Sequence, residues 1–368
     1  MKKHKKILAS LTALTILLSL VSGCAESKRT AGTAVSEERI LVNGISYVID
    51  KEADSASFEK DESLGVLDGN ASYEVSTVKN DDQVLLCTEN ENTMVFRKEY
   101  AGMNTEIRTV MTSNGTMDYF CFGNEDGENV IVLPGVSLKS VMGAADAVVS
   151  AYALLAEDYH VYLFDHVREL PGNCRIETMA DDTLAAMKNA GIEKAHLMGV
   201  SLGGMIAQTM ALKSPETVSS LVLCSSTSRV SDSTKSVFEE WRSLAEKREL
   251  RKLSESFGEH VYSPSFYEQY KEPIIASNDG ATELNYTNFL ISLSAMDGFD
   301  VYERLSEIQC PVFVIGAGED RIIGRESSVE IMKKLDCQGY IYEGYGHGVY
   351  DEAPDYLARV KDYIGSVR

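Results

Sequence analysis

Gly199-Val200-Ser201-Leu202-Gly203-Gly204 follows the apolar run Ala195-His196-Leu197-Met198 and opens a helical pattern that reaches Lys213. It is a G-x-S-x-G turn between a buried strand and a helix, the setting in which that motif carries chemistry. The glycines have a physical task. A turn tight enough to force Ser201 into a strained backbone conformation crowds its neighbours, and only residues without a Cβ at 199 and 203 avoid the clash. The Ser201 hydroxyl then stands above the sheet over the positive end of the following helix, where developing negative charge is favoured.

Working outward, strands alternate with amphipathic helices from about Met103 onward, the pattern of a mostly parallel sheet with helices on both faces. Thr105 to Met111 and Met117 to Phe122, joined by Asn114-Gly115, predict an opening hairpin. Buried strands are predicted at Val130 to Leu133, Val161 to Phe164, Ala195 to Met198, Leu221 to Leu223, Val312 to Ile315 and Tyr340 to Tyr342. Helices are predicted around Ala144 to Ala156, Ile176 to Ala190, Leu202 to Lys213, Ser327 to Leu335 and Pro354 to Ile364.

A serine hydroxyl needs a base, and the base an orienting carboxylate. Asp320 closes the loop Gly316-Ala317-Gly318-Glu319-Asp320 after a late strand, and His347 sits in Gly344-Tyr345-Gly346-His347-Gly348 after the last one. Glu319 is the rival acid, but consecutive loop side chains diverge. Of the six histidines, His4 belongs to the N-terminal leader, His160 and His196 flank or enter strands, His166 follows a strand at a position where it could line a pocket, and His260 lies in a helical insertion.

In the order Ser, Asp, His, these motifs resemble the α/β-hydrolase superfamily. Gly199 to Pro215, the loop ending at Asp320, and the Gly-His loop followed by Asp351-Glu352-Ala353-Pro354 look like the branch of enol-lactonases, prolyl aminopeptidases and carbon-carbon hydrolases; the resemblance covers residues 103–368. It implies an α/β-hydrolase fold with Ser201, Asp320 and His347 as catalytic residues. It also implies an oxyanion hole built from the N–H groups of Leu202 and Val136. Where the family usually has His-Gly, this chain has Pro134-Gly135; proline offers no side-chain hydrogen bond to brace the loop but leaves the Val136 N–H available. The stretch 227–306, with helical patterns and the single Trp241, occupies the position of a lid. Its aromatic residues at helical spacing read as lid core. No metal or organic cofactor is implied.

Ahead of the hydrolase-like region, 40–98 predicts a small β-rich module with strands at Ile40 to Val42, Ile45 to Ile49, Ala71 to Val75, Val84 to Cys87 and Thr93 to Phe96. Before it, Lys2, Lys3, Lys5 and Lys6 precede the apolar stretch Ile7 to Val21, which has the layout of a secretory signal, 1–23. Leu20-Val21-Ser22-Gly23-Cys24 resembles the lipobox of bacterial lipoproteins, which implies lipidation of Cys24, membrane attachment through that lipid alone, and an extracytoplasmic location. Residues 24–39, with no aromatic side chain, fit a tether. Loss of 1–23 takes the formal charge from −21 to −25, so nucleic acid is a poor partner and an anionic membrane surface repels the body. Cys87, Cys121 and Cys224 lie in apolar runs and read as small buried hydrophobes, whereas Cys174, Cys310 and Cys337 show no disulfide framework.

The expectation is a serine hydrolase that cleaves a small ester or lactone through an acyl-enzyme. Prolyl-aminopeptidase-like cleavage of an amide and carbon-carbon hydrolysis are alternatives within the branch. A surface-binding lipoprotein whose hydrolase fold has lost its chemistry is the alternative from another class.

Overall fold

The computed structural model describes residues 30–36, 39–42, 45–51, 53–68, 70–79, 81–90, 92–98 and 105–367. The leader 1–23 and Cys24 lie outside the described residues. Within them no helix is long and apolar enough to cross a membrane.

Two compact units divide the chain. The first strands, β1 (Thr30–Ser36), β2 (Arg39–Val42), β3 (Ile45–Ile49), β4 (Lys60–Asp68), β5 (Asn70–Val78), β6 (Asp81–Glu89) and β7 (Asn92–Lys98), form a closed barrel in the order β1-β2-β3-β7-β6-β5-β4. A parallel pairing of β1 with β4 closes it, and the other pairings are antiparallel. Strand alternation sorts its apolar residues into two sets. Leu85, Cys87, Val75 and Phe96 cluster with Ile40, Val42, Tyr47 and Leu67, while Val84, Leu86, Val78 and Val95 pack with Ala53 and Phe58.

The barrel corrects the sequence reading at its start. Thr30–Ser36 lies inside the stretch expected to be tether, and β1 and β4 were absent from the predicted strands. Both omissions have physical causes. Thr30-Ala31-Gly32-Thr33-Ala34-Val35-Ser36 is almost all small residues, with weak strand preference. In β4, Lys60 to Ser63 are exposed, and register shifts between Ser63 and Gly65 and between Val66 and Leu67 erase the alternation that would mark a strand.

The second unit is built on eight strands: β8 (Arg108–Met111), β9 (Thr116–Gly123), β10 (Glu128–Leu133), β11 (Tyr159–Val167), β12 (Ala195–Val200), β13 (Val218–Cys224), β14 (Val312–Ala317) and β15 (Gln338–Tyr342), in the order β15-β14-β13-β12-β10-β11-β9-β8. The strands β10 to β15 are mutually parallel; β9 runs against β11, and β8 against β9. All six residues of β12 and of β14 are buried, as expected for central parallel strands covered on both faces. The helices among the described residues are α1 (Ala145–Ala151), α2 (Ala153–Ala156), α3 (Ile176–Asn189), α4 (Leu202–Lys213), α5 (Asp232–Glu246), α6 (Leu250–Val261), α7 (Pro264–Ala276), α8 (Glu283–Met296), α9 (Arg325–Leu335), α10 (Val349–Glu352) and α11 (Tyr356–Ser366), of which Asp146–Leu154 falls in the first unit and the rest in the second. Ala144 to Ala156, expected as one helix, is interrupted at Tyr152.

Helices α5 to α8 interrupt the alternation between β13 and β14, where a lid was expected. Trp241 is lid core: it is 1% exposed, its Nε1 donates to Ser256 Oγ at 3.1 Å, and its ring packs on Phe257 and against the edge of His260. The six described cysteines are all free. Burial pushes the thiols of Cys87 and Cys224 up to about 12 and those of Cys174, Cys310 and Cys337 to about 11, which disfavours their thiolates at neutral pH.

Candidate active site

Parallel strands end at a common edge of their sheet, and that edge collects the candidate residues: Ser201 after β12, Asp320 after β14, His347 after β15 and Pro134-Gly135-Val136 after β10. Ser201 has φ 51° and ψ −116° at the head of α4. Such a conformation costs a non-glycine residue on the order of 1–3 kcal/mol and survives only where its surroundings enforce it. Here its N–H donates to the Cys224 carbonyl at 2.9 Å, and its own carbonyl accepts from Gly204 N–H at 2.9 Å and from Ser226 Oγ at 2.8 Å. The glycine requirement read from the sequence is met by geometry. A Cβ on Gly199 would lie 2.5 Å from the Gly203 carbonyl oxygen, and one on Gly203 would strike the Leu133 carbonyl.

His347 Nδ1 and Asp320 Oδ2 are 2.8 Å apart, with the two side chains 3% and 2% exposed. Asp320 Oδ1 accepts the N–H groups of Ile322 and Ile323 at 2.9 and 3.0 Å. Burial by itself would raise the Asp320 pKa; the charge of His347, its hydrogen bond and the two backbone donors outweigh burial and hold the carboxyl below its usual range. With the carboxylate on Nδ1, the neutral ring carries its proton there and leaves Nε2 as a proton acceptor. Glu319, the rival acid, is exposed. Strand β13 links nucleophile and acid: the Cys224 carbonyl holds the Ser201 N–H, and the Cys224 thiol feels the charge of Asp320.

The loop after β10 runs beside the nucleophile, so that a Cβ on Gly135 would lie 3.3 Å from Ser201 Cβ and 4.0 Å from its Oγ. Val136 is the next residue. Leu202, whose N–H heads α4, is fully buried. The brace that Pro134 lacks is supplied by β11. Ser140 Oγ, in the loop after β10, donates to Asp165 Oδ2 at 2.5 Å. Asp165 Oδ1 in turn accepts the His166 N–H at 2.8 Å. Burial pushes the His166 imidazole down and the Asp165 carboxyl up, each toward its neutral form. The remaining described histidines are structural. His160 pairs with Tyr162, His196 with Ser220 and His260 with the Ser256 carbonyl.

Sequence reading missed Ser226 and the Asp165–Ser140 pair. The four consecutive hydroxyl residues Ser225 to Ser228, all buried, were the available signal, because small polar side chains directly after a buried strand need partners at the sheet edge. It also missed how the lid is fastened. Lys139 Nζ donates to the carbonyls of Ser277 and Asp279 at 3.1 and 3.0 Å, Arg321 donates to the Glu259 carbonyl at 3.2 Å, and Asn288 bridges the Arg168 carbonyl and the Leu170 N–H.

Asp351, four residues beyond His347, has an unusual carboxyl. Burial pushes it well above the usual carboxylate range; the Tyr262 hydroxyl at 3.0 Å opposes this, and neighbouring Glu352 reinforces it. A carboxyl whose pKa is raised on folding stabilises the protein below its unfolded pKa and loses that contribution as pH rises through the folded value. Asp351→Asn is therefore expected to melt progressively higher than wild type as pH increases between about 5 and 8. Parallel melting-temperature curves over that range would contradict it.

Residues 130–354 match the model of the alpha/beta hydrolase fold, and the chain belongs to that family. Among curated relatives, a protein of Agrobacterium fabrum assigned by name as the carbamate hydrolase RutD is 27% identical over 254 residues, spanning 65% of this chain and 94% of that one. Among solved structures, a hydrolase from Pseudomonas aeruginosa matches with TM-score 0.63 and 18% identity, over 72% of this chain and 99% of that one. The enol-lactonase from Burkholderia xenovorans matches with TM-score 0.61 and 18% identity, over 70% and 100%.

Proposed function

We propose that this chain is a lipid-anchored extracytoplasmic serine hydrolase that cleaves a small ester or lactone through an acyl-enzyme. Ser201 attacks the carbonyl, and His347 Nε2 takes its proton and returns it to the leaving group. Asp320 fixes the imidazole tautomer, while the N–H groups of Leu202 and Val136 hold the oxyanion. A water activated by the same His347 then releases the acid and restores the hydroxyl of Ser201. The observation that carries this reading is the strained backbone of Ser201 at the head of α4, because a binding-only descendant has no physical reason to maintain it.

An acyl carbonyl as the point of attack is supported by the enol-lactonase likeness, and the named carbamate hydrolase extends the class to carbamates. Initial rates on nitrophenyl esters of graded acyl length, lactones, aryl carbamates and amino-acid naphthylamides test the substrate class. Turnover of naphthylamides alone would replace the ester reading with an aminopeptidase.

The anchoring half of the proposal rests on Lys2 to Cys24. Two or more acyl chains on Cys24, each buried methylene contributing about 0.8 kcal/mol, would hold the protein stably at a membrane that its acidic body avoids. Cys24→Ala is expected to leave the protein unprocessed or release it to the medium, as fractionation and N-terminal sequencing would show. Membrane-bound protein lacking residues 1–23 would contradict lipidation.

A further inference from the structure

The lid meets the loop carrying His347 at the corner Val261-Tyr262-Ser263, where α6 ends and α7 begins. Gly348 N–H donates to the Val261 carbonyl at 2.7 Å, the Tyr262 hydroxyl donates to Asp351 Oδ2 at 3.0 Å, and the Ser263 N–H donates to Glu352 Oε1 at 3.0 Å. Between these bonds the approach is too close for side chains. A Cβ on Gly346 would lie 2.6 Å from Ser263 N, and one on Gly348 would lie 2.7 Å from Tyr262 Cε1.

The part being held is the mount of the base. His347 and Gly348 lead directly into the single turn of α10, whose first bonds run from Asp351 N–H and Glu352 N–H to the Gly348 carbonyl at 2.8 and 3.2 Å. Tyr262 spans that turn, with its ring on Gly348 and its hydroxyl on Asp351. Asp320 fixes His347 through the ring, and the corner fixes the backbone from which the ring projects. A helix of one turn has little stability of its own, so its geometry depends on such outside contacts.

We propose that Tyr262 is a positioning residue for His347, so that docking of the lid corner and alignment of the catalytic base are one event. The proposal rests on the serine-hydrolase reading above. It makes the lid part of the catalytic support, and it predicts that loosening the corner lowers the rate of the chemical step while leaving substrate affinity nearly unchanged. It also explains the glycines on either side of His347, which admit the lid backbone to within hydrogen-bonding distance of the loop.

Tyr262→Phe removes one hydroxyl and keeps the ring on Gly348. One hydrogen bond shifts an equilibrium by about tenfold, so kcat is expected to fall about tenfold with KM within about twofold, and the fluorophosphonate labelling rate of Ser201 is expected to fall in proportion. Asp351→Leu, which removes the acceptor, should do the same, and the double variant should fall no further, because both changes break one bond. Asp351→Asn keeps an acceptor and should recover most of kcat. The proton NMR signal of the His347 Nδ1–H bonded to Asp320 should broaden in Tyr262→Phe and sharpen again in Asp351→Asn, a response that general loss of stability would not produce. Wild-type kcat and labelling rate in Tyr262→Phe, with the wild-type enzyme labelled, would overturn the role of Tyr262 and leave the catalytic reading intact. A folded wild type that resists labelling would overturn the catalytic reading and the role of Tyr262 with it.

Discussion

Ser201→Ala is expected to lose about six orders of magnitude in kcat, the loss seen when the nucleophile of a serine protease triad is removed. The fold should survive. The hydrogen bonds that enforce the elbow run through the backbone of residue 201, to the Cys224 carbonyl and from Gly204 N–H and Ser226 Oγ, and none uses its side-chain oxygen. His347→Ala should fall nearly as far, and the double variant barely further, because members of a triad act as a unit. Initial rates and melting curves on the three proteins separate the outcomes. Turnover in Ser201→Ala within tenfold of wild type would mean that attack comes from elsewhere.

Asp320→Asn carries the second large effect, about four orders of magnitude, as for the corresponding change in a serine protease. The geometry here says why. Oδ1 is already committed to the N–H groups of Ile322 and Ile323, so an asparagine must keep its carbonyl oxygen there and turn its NH2 toward His347 Nδ1. That forces Nδ1 to accept, moves the ring proton to Nε2 and removes the base. Acidification is no substitute for the mutation, because His347 and the two backbone donors hold Asp320 ionised to pH values below the usual carboxylate range. Full activity in Asp320→Asn would transfer the orienting role to another carboxylate and leave Ser201 and His347 standing.

The parts of the molecule that sequence revealed are those whose physics is local. Buried parallel strands such as Val312–Ala317 read as continuous apolar runs, and the elbow gathers its glycines within residues 199 to 204, so both leave compact signatures even though Gly203 is demanded by the distant Leu133 carbonyl. The Asp320–His347 pair was legible through the glycines and strand ends around it, although the contact spans 27 positions. Strand β1 was not, because seven mostly small residues look like a tether unless the partner strand is known. The braces around the site were also hidden. Ser226 acts on the Ser201 carbonyl 25 positions away, where the hydroxyl run Ser225 to Ser228 signals a need for partners without naming them, and Tyr262 reaches Asp351 across 89 through a side chain whose local setting is ordinary. Pro134 shows the same limit from the other side: the sequence exposed a missing brace, and its replacement by Asp165 of β11 appeared only when the strands were laid side by side.

The central claim is that Ser201 is an activated nucleophile, and covalent trapping tests it most directly. The purified protein is incubated with a fluorophosphonate and digested, and the modified peptide is sequenced by mass spectrometry. One label per chain on Ser201 is expected, absent from Ser201→Ala and strongly slowed in His347→Ala. A folded protein that stays unlabelled, or a label on any other residue, would contradict the account and favour a binding role for the fold.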